Sequence, residues 1–422
     1  MRALRRFLTA LTAAALAWAG LAAPHSLAAR PALSCGAVLV AATTLTRDLT
    51  NCPNSGIVIG ANDVTLDLNG HTVGGDGAPV PSCPDGASCD VGIDNSAGHV
   101  GVTIRGGSVH GFDVGVLVLG ASASHIQRIS TSNDTSVGVI VGDSVRSSID
   151  HNSSMHDGLS GILIYGSHDV RVAHNSVSAA HGYAIPVFGS SHNRFEQNVL
   201  NGNDHGILLD SSNDNAVTGN RIFHSGGSSI DVGPASGNRV VQNVLIDNGD
   251  GVVLTEARNN QISDNTVLGT GSFGFPDTGG FGVILDGAAD NLVQRNKVTG
   301  GRGPAIFITS LDSPETSDRN VVSNNVANSR VYDGILVNAN ATGTLVEGNT
   351  ANRNGGDGIH VDAAATTVTR NTADHNHDLG IDAVPGVIDG GGNRANANGN
   401  PLQCLNITCH RSSVGAGGGT AG

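Results

Sequence analysis

Between residues 157 and 210 the chain repeats one short pattern of apolar and polar positions. A small residue is followed by aliphatics at alternate places, then a polar turn, then His-Asn or Gln-Asn before the next valine. Ile162 and Ile164, Ile207 and Leu209, and Val283 and Leu285 are such alternating pairs. A period of two with one apolar side predicts short strands, each with one buried face. The small residue recurs thirteen times from Gly92 to Gly380, mostly at steps of 22 to 24 residues, with two longer steps of 31 and 29. No stretch sustains a 3.6-residue period, and Gly, Ser and Asn interrupt every window that might, so helices are not expected.

A second column lies about nine residues before each new start: Asn152, Asn175, Asn198, Asn220, Asn243, Asn265, Asn296, Asn325, Asn349 and Asn371. Turn preference alone does not hold ten asparagines in register. Asn tolerates left-handed backbone, and a primary amide both donates and accepts. Stacked at one strand spacing, about 4.8 Å, these side chains would form a hydrogen-bonded ladder inside an apolar core. Self-similarity at a fixed period means a solenoid, whose coils bury a face only by stacking. Thirteen coils give a rod roughly 60 Å long.

These features resemble the right-handed parallel β-helix family, with repeats of the pectate-lyase-like type, over residues 57 to about 400. The segment "CGAVLVAATTLTRDLTNCPNSGIVIGANDVTLDLNGHTVGG" (35 to 75) resembles the N-terminal module of exported bacterial β-helix proteins. The resemblance implies an all-β, single-domain right-handed parallel β-helix of about 13 coils with an internal Asn ladder. The expected organisation is a signal peptide over 1–29, the capped β-helix over 35–410, and a Gly/Ser tail over 411–422.

Composition narrows the function. The formal charge is −14 and the only lysine is Lys297, so a nucleic-acid partner, which requires clustered basic residues, is not expected. Arg2, Arg5 and Arg6 precede an apolar run from Phe7 to about Ala23, the pattern of a secretory signal. No second apolar stretch approaches membrane-spanning length. A secreted, periplasmic or cell-surface location follows. Six cysteines in such a chain read as disulfides; fifteen connectivities are open, and the clustering suggests Cys35 with Cys52, Cys83 with Cys89, and Cys404 with Cys409.

Function on a rod of this kind resides on outward positions. The second residue after each start is mostly aliphatic (Leu117, Ile140, Leu163, Leu208), an apolar exterior stripe suited to binding, or to cover by loops or another subunit. Within it, Tyr165 and Phe188 are expected to stack on adjacent coils and could carry a sugar ring. Asp210 and Asp231 lie one coil and two residues apart, roughly 8 Å between backbones, within the range of the two carboxylates of an inverting glycosidase. Tyr183 and His205 share the position before the strand on neighbouring coils, with Asp204 beside them, an arrangement that could move a proton next to a carboxylate. His156, Asp157 and His181 occupy nearby corners. Tyr183, Asp204, His205, Asp210 and Asp231 are the candidate catalytic set, and Tyr165, Phe188, Phe273 and Phe275 the candidate sugar contacts. The two phenylalanines Phe273 and Phe275 come from the inserted loop "GTGSFGFPDTGGF" (269 to 281), which also carries Phe281.

Near the C-terminus "GGDGIHVD" (355 to 362) and "DHNHDLGID" (374 to 382) bring His360, Asp362 and Asp382 together, with Asp357 and Asp378 at the corner. Imidazole with carboxylates suits copper or zinc, and carboxylates alone suit calcium. Arg171, Arg194 and Arg239 share one coil position and could meet an anionic glycan. The Asp-Pro-His-Asp run of many mannuronan epimerases and the Asn-Thr-Asp set of polygalacturonases are both absent. Three readings stand: an enzyme that binds and modifies an extracellular polysaccharide as lyase, epimerase or hydrolase; a non-catalytic glycan-binding or surface scaffold; and, from the resemblance alone, a metal-handling accessory β-helix of the copper-enzyme maturation type.

Overall fold

Alternating aliphatics and left-handed corners make this chain a stack of three-strand coils. The computed structural model describes residues 33–78, 90–271, 279–311 and 313–411. The proposed signal segment, Cys83, Cys89, Phe273, Phe275 and all of the tail beyond Arg411 lie outside these residues. Within them every element is a β-strand and every strand pairing is parallel. One coil runs Ser160–Tyr165, Arg171–Ala173 and Ser176–Ser178. It stacks on Tyr183–Phe188, Arg194–Glu196 and Val199–Asn201 of the next. The first strands of successive coils form a 16-stranded parallel sheet from Ala37–Leu39 to Cys404–Leu405. All thirteen expected starts lie within its strands or directly before them, and coils added at both ends bring the solenoid to about 15 turns.

Each coil sends one row inward from each strand, aliphatic except at places such as Thr131 and Ser154. Ile162, Ile164, Val172 and Val177 are all buried, and the same places on other coils join them in one continuous core. Corners require a residue that accepts positive φ. His151, His174 and Gln197 occupy successive corners at φ 56°, 55° and 53°, each just before a ladder asparagine. Asn175 then donates from both its backbone N–H (3.0 Å) and its Nδ2 (3.1 Å) to Asn198 Oδ1, and from Nδ2 to the Ile149 carbonyl (2.9 Å). The same unit repeats through all ten predicted asparagines and ends on Asn393. The ladder supplies buried partners to backbone groups that the corner takes out of the sheets.

Two further ladders occupy the other corners. One runs Asn193, Asn215, Asn238, Asn260, Asn291 and Asn320 between first and second strands. The other, between third and first strands, has Asn203 and Asn248 in mid-rod and Asn354, Asn376 and Asn398 toward the C-terminus. Its N-terminal members are aspartates, Asp134 and Asp157.

Asn220→Leu tests the main ladder. The change strips both Asn198 donors of their acceptor and the Phe195 carbonyl of its donor. Chemical denaturation should show a loss of about 1–3 kcal/mol for the orphaned groups. An unchanged midpoint would mean that the ladder does not stabilise the rod.

Disulfides sit near both ends, joining Cys35 to Cys52 (Cα–Cα 5.4 Å) and Cys404 to Cys409 (Cα–Cα 6.2 Å). Both match the expected pairing.

Candidate functional site on the outward face of the first sheet

Two columns of the first sheet meet on its outer surface: the residue just before each coil start and the second residue after it. Toward the N-terminus the two columns are aliphatic apart from Asp94. Val91, Val114, Val137, Leu117 and Ile140 bury one another in a cluster of their own, with Leu163 and Tyr165 at its edge. The expected apolar stripe is thus real on these coils, and packing along the rod covers it in part. Further on, the same columns bring in Tyr183, His205, Asp231 and Asp250 among Pro186, Leu208 and Val253. Next come Phe281 and Phe307, whose rings stack at 5.2 Å and 16°. Asp333, Asp357 and His360 follow. One track therefore changes from apolar to polar, aromatic and acidic along its length.

In the polar part, Tyr183 and His205 are register partners on adjacent strands. Their rings stack at 4.5 Å and 26°. The Tyr183 side chain spans two coils, and its hydroxyl donates to Asp231 Oδ2 at 2.7 Å. His205 Nδ1 lies 3.9 Å from the same oxygen and accepts the Ser228 N–H at 3.3 Å. Gly227 makes room for the imidazole, since a Cβ there would fall 2.2 Å from His205 Cε1. The Asp231 side chain is only 15 % exposed. Burial pushes its carboxyl above the ordinary range, against the opposing hydrogen bonds from Tyr183 and Ser228 and the nearby His205. Burial first, then the Asp231 charge, raises the Tyr183 phenol, which therefore stays protonated and acts as a donor.

The remaining predicted residues divide. Asp210 stands next to Phe188 in register, one coil before Asp231, and accepts from Ser211 Oγ at 3.0 Å. Asp204 contributes its backbone carbonyl to Gly227 at 2.7 Å. Tyr165 and Phe188 are register partners, but they do not stack as expected. The Tyr165 ring lies back over Gly142, where a Cβ would fall 2.2 Å from Cζ, and Phe188 is left exposed. Asp157 is not on the surface at all; it is fully buried in the third-corner ladder. Arg171 is held by Asp150 (3.1 Å) and Glu196 (3.0 Å) on the second sheet. Phe281 folds onto Phe307 rather than standing free in the loop.

At the acidic end His360 faces carboxylates on both sides. Its Nδ1 lies 3.3 Å from Asp357 Oδ2 and 3.9 Å from Asp333 Oδ2, and its Nε2 lies 3.1 Å from Asp362 Oδ1. Asp382 is its register partner on the next coil. The Asp357 hydrogen bond, helped by Asp362 and Asp333, lifts the imidazole to about 9. Asp333, absent from the expected set, comes from the coil with the 29-residue step, and its distance along the chain hid it. A third group, Asp150, His151 and His174, lies on the second sheet, where the two imidazoles stack at 4.7 Å.

Fold and track together define an all-β solenoid with a polar, aromatic and acidic track on the outward face of its first sheet. The chain is a right-handed parallel β-helix repeat protein. The family model described as right handed beta helix region matches residues 189–278 and 258–373. The model for NosD, described as periplasmic copper-binding protein, matches residues 55–226. No curated protein matches the chain. Among solved structures, the catalytic domain of a GH87 alpha-1,3-glucanase in complex with tetrasaccharides is 15% identical with a TM-score of 0.49, over 74% of this chain and 64% of that one. The chain thus spans 64% of the length of that domain. DFA-IIIase from Arthrobacter chlorophenolicus is 14% identical with a TM-score of 0.43, over 60% and 69% of the two chains. The periplasmic alginate epimerase AlgG, as a double mutant, is 14% identical with a TM-score of 0.39, over 71% and 78%. These likenesses concern the course of the backbone and carry nothing about chemistry. Among the described residues no helix is long and apolar enough to cross a membrane.

Proposed function

We propose that this chain is an exported protein that binds a polysaccharide along the first-sheet track and hydrolyses it, with Asp231 as general acid and Asp210 as general base. The observation that carries the reading is the Tyr183–Asp231 hydrogen bond of 2.7 Å on a largely buried carboxyl. A carboxyl raised by burial keeps a proton to give to a leaving glycosidic oxygen. The backbones of Asp210 and Asp231 are about 8 Å apart by strand spacing, a separation that suits two carboxylates with a water between them. In the reaction, Asp231 protonates the bridging oxygen as the C–O bond breaks. Asp210 takes a proton from the water that attacks the anomeric carbon from the other face.

Charge narrows the substrate class to neutral glycans. Among the described residues no Lys or Arg stands just before a coil start or two or four residues after it. Proton abstraction beside a sugar carboxylate requires a cation to neutralise that carboxylate, so hydrolysis suits this face better than elimination or epimerisation. Export is supported by the two disulfides and by the basic-then-apolar N-terminal sequence.

Incubating the purified protein with a panel of neutral and uronate glycans tests the reading. New reducing ends from a neutral glycan, without unsaturated product, are expected. Binding without new ends would leave a glycan-binding scaffold, and unsaturated product from a uronate would replace hydrolysis by elimination. A metal-handling reading is favoured by one observation, the half-buried Asp150 with the exposed His151 and His174 inside the segment matched by the copper-binding family model.

A further inference from the structure

We infer that Asp333, Asp357 and His360 form a binding site for one divalent transition-metal ion of the zinc type, separate from the Asp231 site. Four strand spacings, about 19 Å along the rod, divide the two. The ligand atoms would be Asp333 Oδ2, Asp357 Oδ2 and His360 Nδ1. The imidazole nitrogen lies 3.3 and 3.9 Å from the two oxygens. Atoms that share an ion at about 2.0–2.2 Å each cannot stand more than about 4.4 Å apart, and both distances fall inside that limit.

The coil geometry aims all three atoms before any ion arrives. Asp357 N–H donates to Asp333 Oδ1 at 2.7 Å, and Leu379 N–H donates to Asp357 Oδ1 at 2.7 Å. Each carboxylate is therefore pinned by one oxygen to the backbone of the next coil and turns the other toward the imidazole. On the opposite ring edge, Asp362 Oδ1 lies 3.1 Å from His360 Nε2. A carboxylate there accepts the Nε2–H hydrogen bond, so the proton an incoming ion displaces is the one on Nδ1, the outer arrangement that orients metal-bound histidines. Asp362 thus acts as the partner of the ligand rather than as a ligand, which revises the expected set of His360, Asp362 and Asp382. Asp382, beside His360 on the following strand, adds negative charge at the rim. The Asp357 and Asp333 side chains are 10 % and 19 % exposed, and His360 is 29 % exposed. The ion would sit shielded on the rod side and open toward the track, with positions left for water or a ligand group.

Donor type selects the ion. One imidazole nitrogen with two carboxylate oxygens matches zinc and its neighbours, whereas calcium requires six to eight oxygens. Isothermal titration of the whole disulfide-bonded chain with zinc chloride, and separately with calcium chloride, tests this. One equivalent of zinc should bind, and calcium should not displace it. His360→Gln and Asp357→Asn should each abolish that equivalent. The Asn keeps an acceptor for Leu379 N–H, so the coil is retained, and circular dichroism verifies it. Asp362→Asn should weaken zinc by about 10–100-fold. Zinc binding left unchanged by His360→Gln, zinc binding lost with His174→Ala, or no saturable binding by the folded parent would each overturn the assignment.

Discussion

Replacing Asp231 with Asn should lower glycan-hydrolysing turnover by about 10²–10⁴-fold, the contribution of a positioned general acid, while circular dichroism matches the parent and thermal unfolding does not fall below it. Asn is isosteric and keeps an oxygen for the Tyr183 hydroxyl, so the packing of Tyr183 on His205 has no reason to change. What the substitution removes is the transferable proton. The pH profile carries the sign. Asp231 must be protonated to act, and burial raises its carboxyl. Activity should therefore fall as pH rises through a value above the ordinary carboxylate range, and the Asn variant should lose that limb. Tyr183→Phe supplies the counter-test. The phenol hydrogen bond lowers the Asp231 carboxyl, so removing it should move the alkaline limb upward. A limb that stays in place in both variants would show that the acid is another group.

The fold was legible because the repeat holds its register. Ten asparagines at one place in the coil left only a stacked interior for them, and the structure puts them there. The second and third ladders were hidden by mixed occupancy. At the first corner Ser124, Ser147 and Val170 precede Asn193, so no single letter marks the column. Asp157 looked like a surface turn residue because Asp favours turns; only alignment with Asn203 and Asn248 shows that its place is internal.

Legibility of the candidate site stopped at side-chain length and direction. The Tyr183–His205 pairing follows from register, but the phenol reaches past its neighbour to Asp231 on the second coil along, which spacing alone does not give. Tyr165 turns away from Phe188 because Gly142 leaves a ring-sized space on the preceding coil. Asp333 joins His360 because stacking cancels the extra residues of a long coil, which leave the rod as a loop.

Asp134→Asn should stabilise the protein at neutral and alkaline pH, by about 4 kcal/mol at pH 7 if the carboxyl bears its whole shift. Asp134 is 1 % exposed. Its Oδ1 accepts the Phe112 N–H at 3.0 Å, and its Oδ2 has no partner. Its neighbour in the ladder, Asp157, already accepts from Asp134 N–H, Thr131 Oγ1 and Ser154 Oγ. Burial and the Asp157 charge push the Asp134 carboxyl up to about 9, against about 3.9 in the unfolded chain. Between those values the folded protein keeps a proton that the unfolded chain releases. Stability then falls by up to about 1.4 kcal/mol for each pH unit gained, and levels off above the folded value. An asparagine does not ionise. In this same column Asn354 Nδ2 donates to Asn376 Oδ1 at 3.0 Å and to the Ala327 carbonyl at 3.0 Å, so an amide in place of the Asp134 carboxyl would add donors where a bare carboxylate has none. Thermal unfolding followed from pH 4 to pH 9 should show the variant well above the parent at pH 8, with the gap closing toward pH 4. A gap that is constant across this range would assign the effect to packing instead of ionisation. A variant less stable than the parent at pH 8 would show that the ladder requires a carboxylate at this corner.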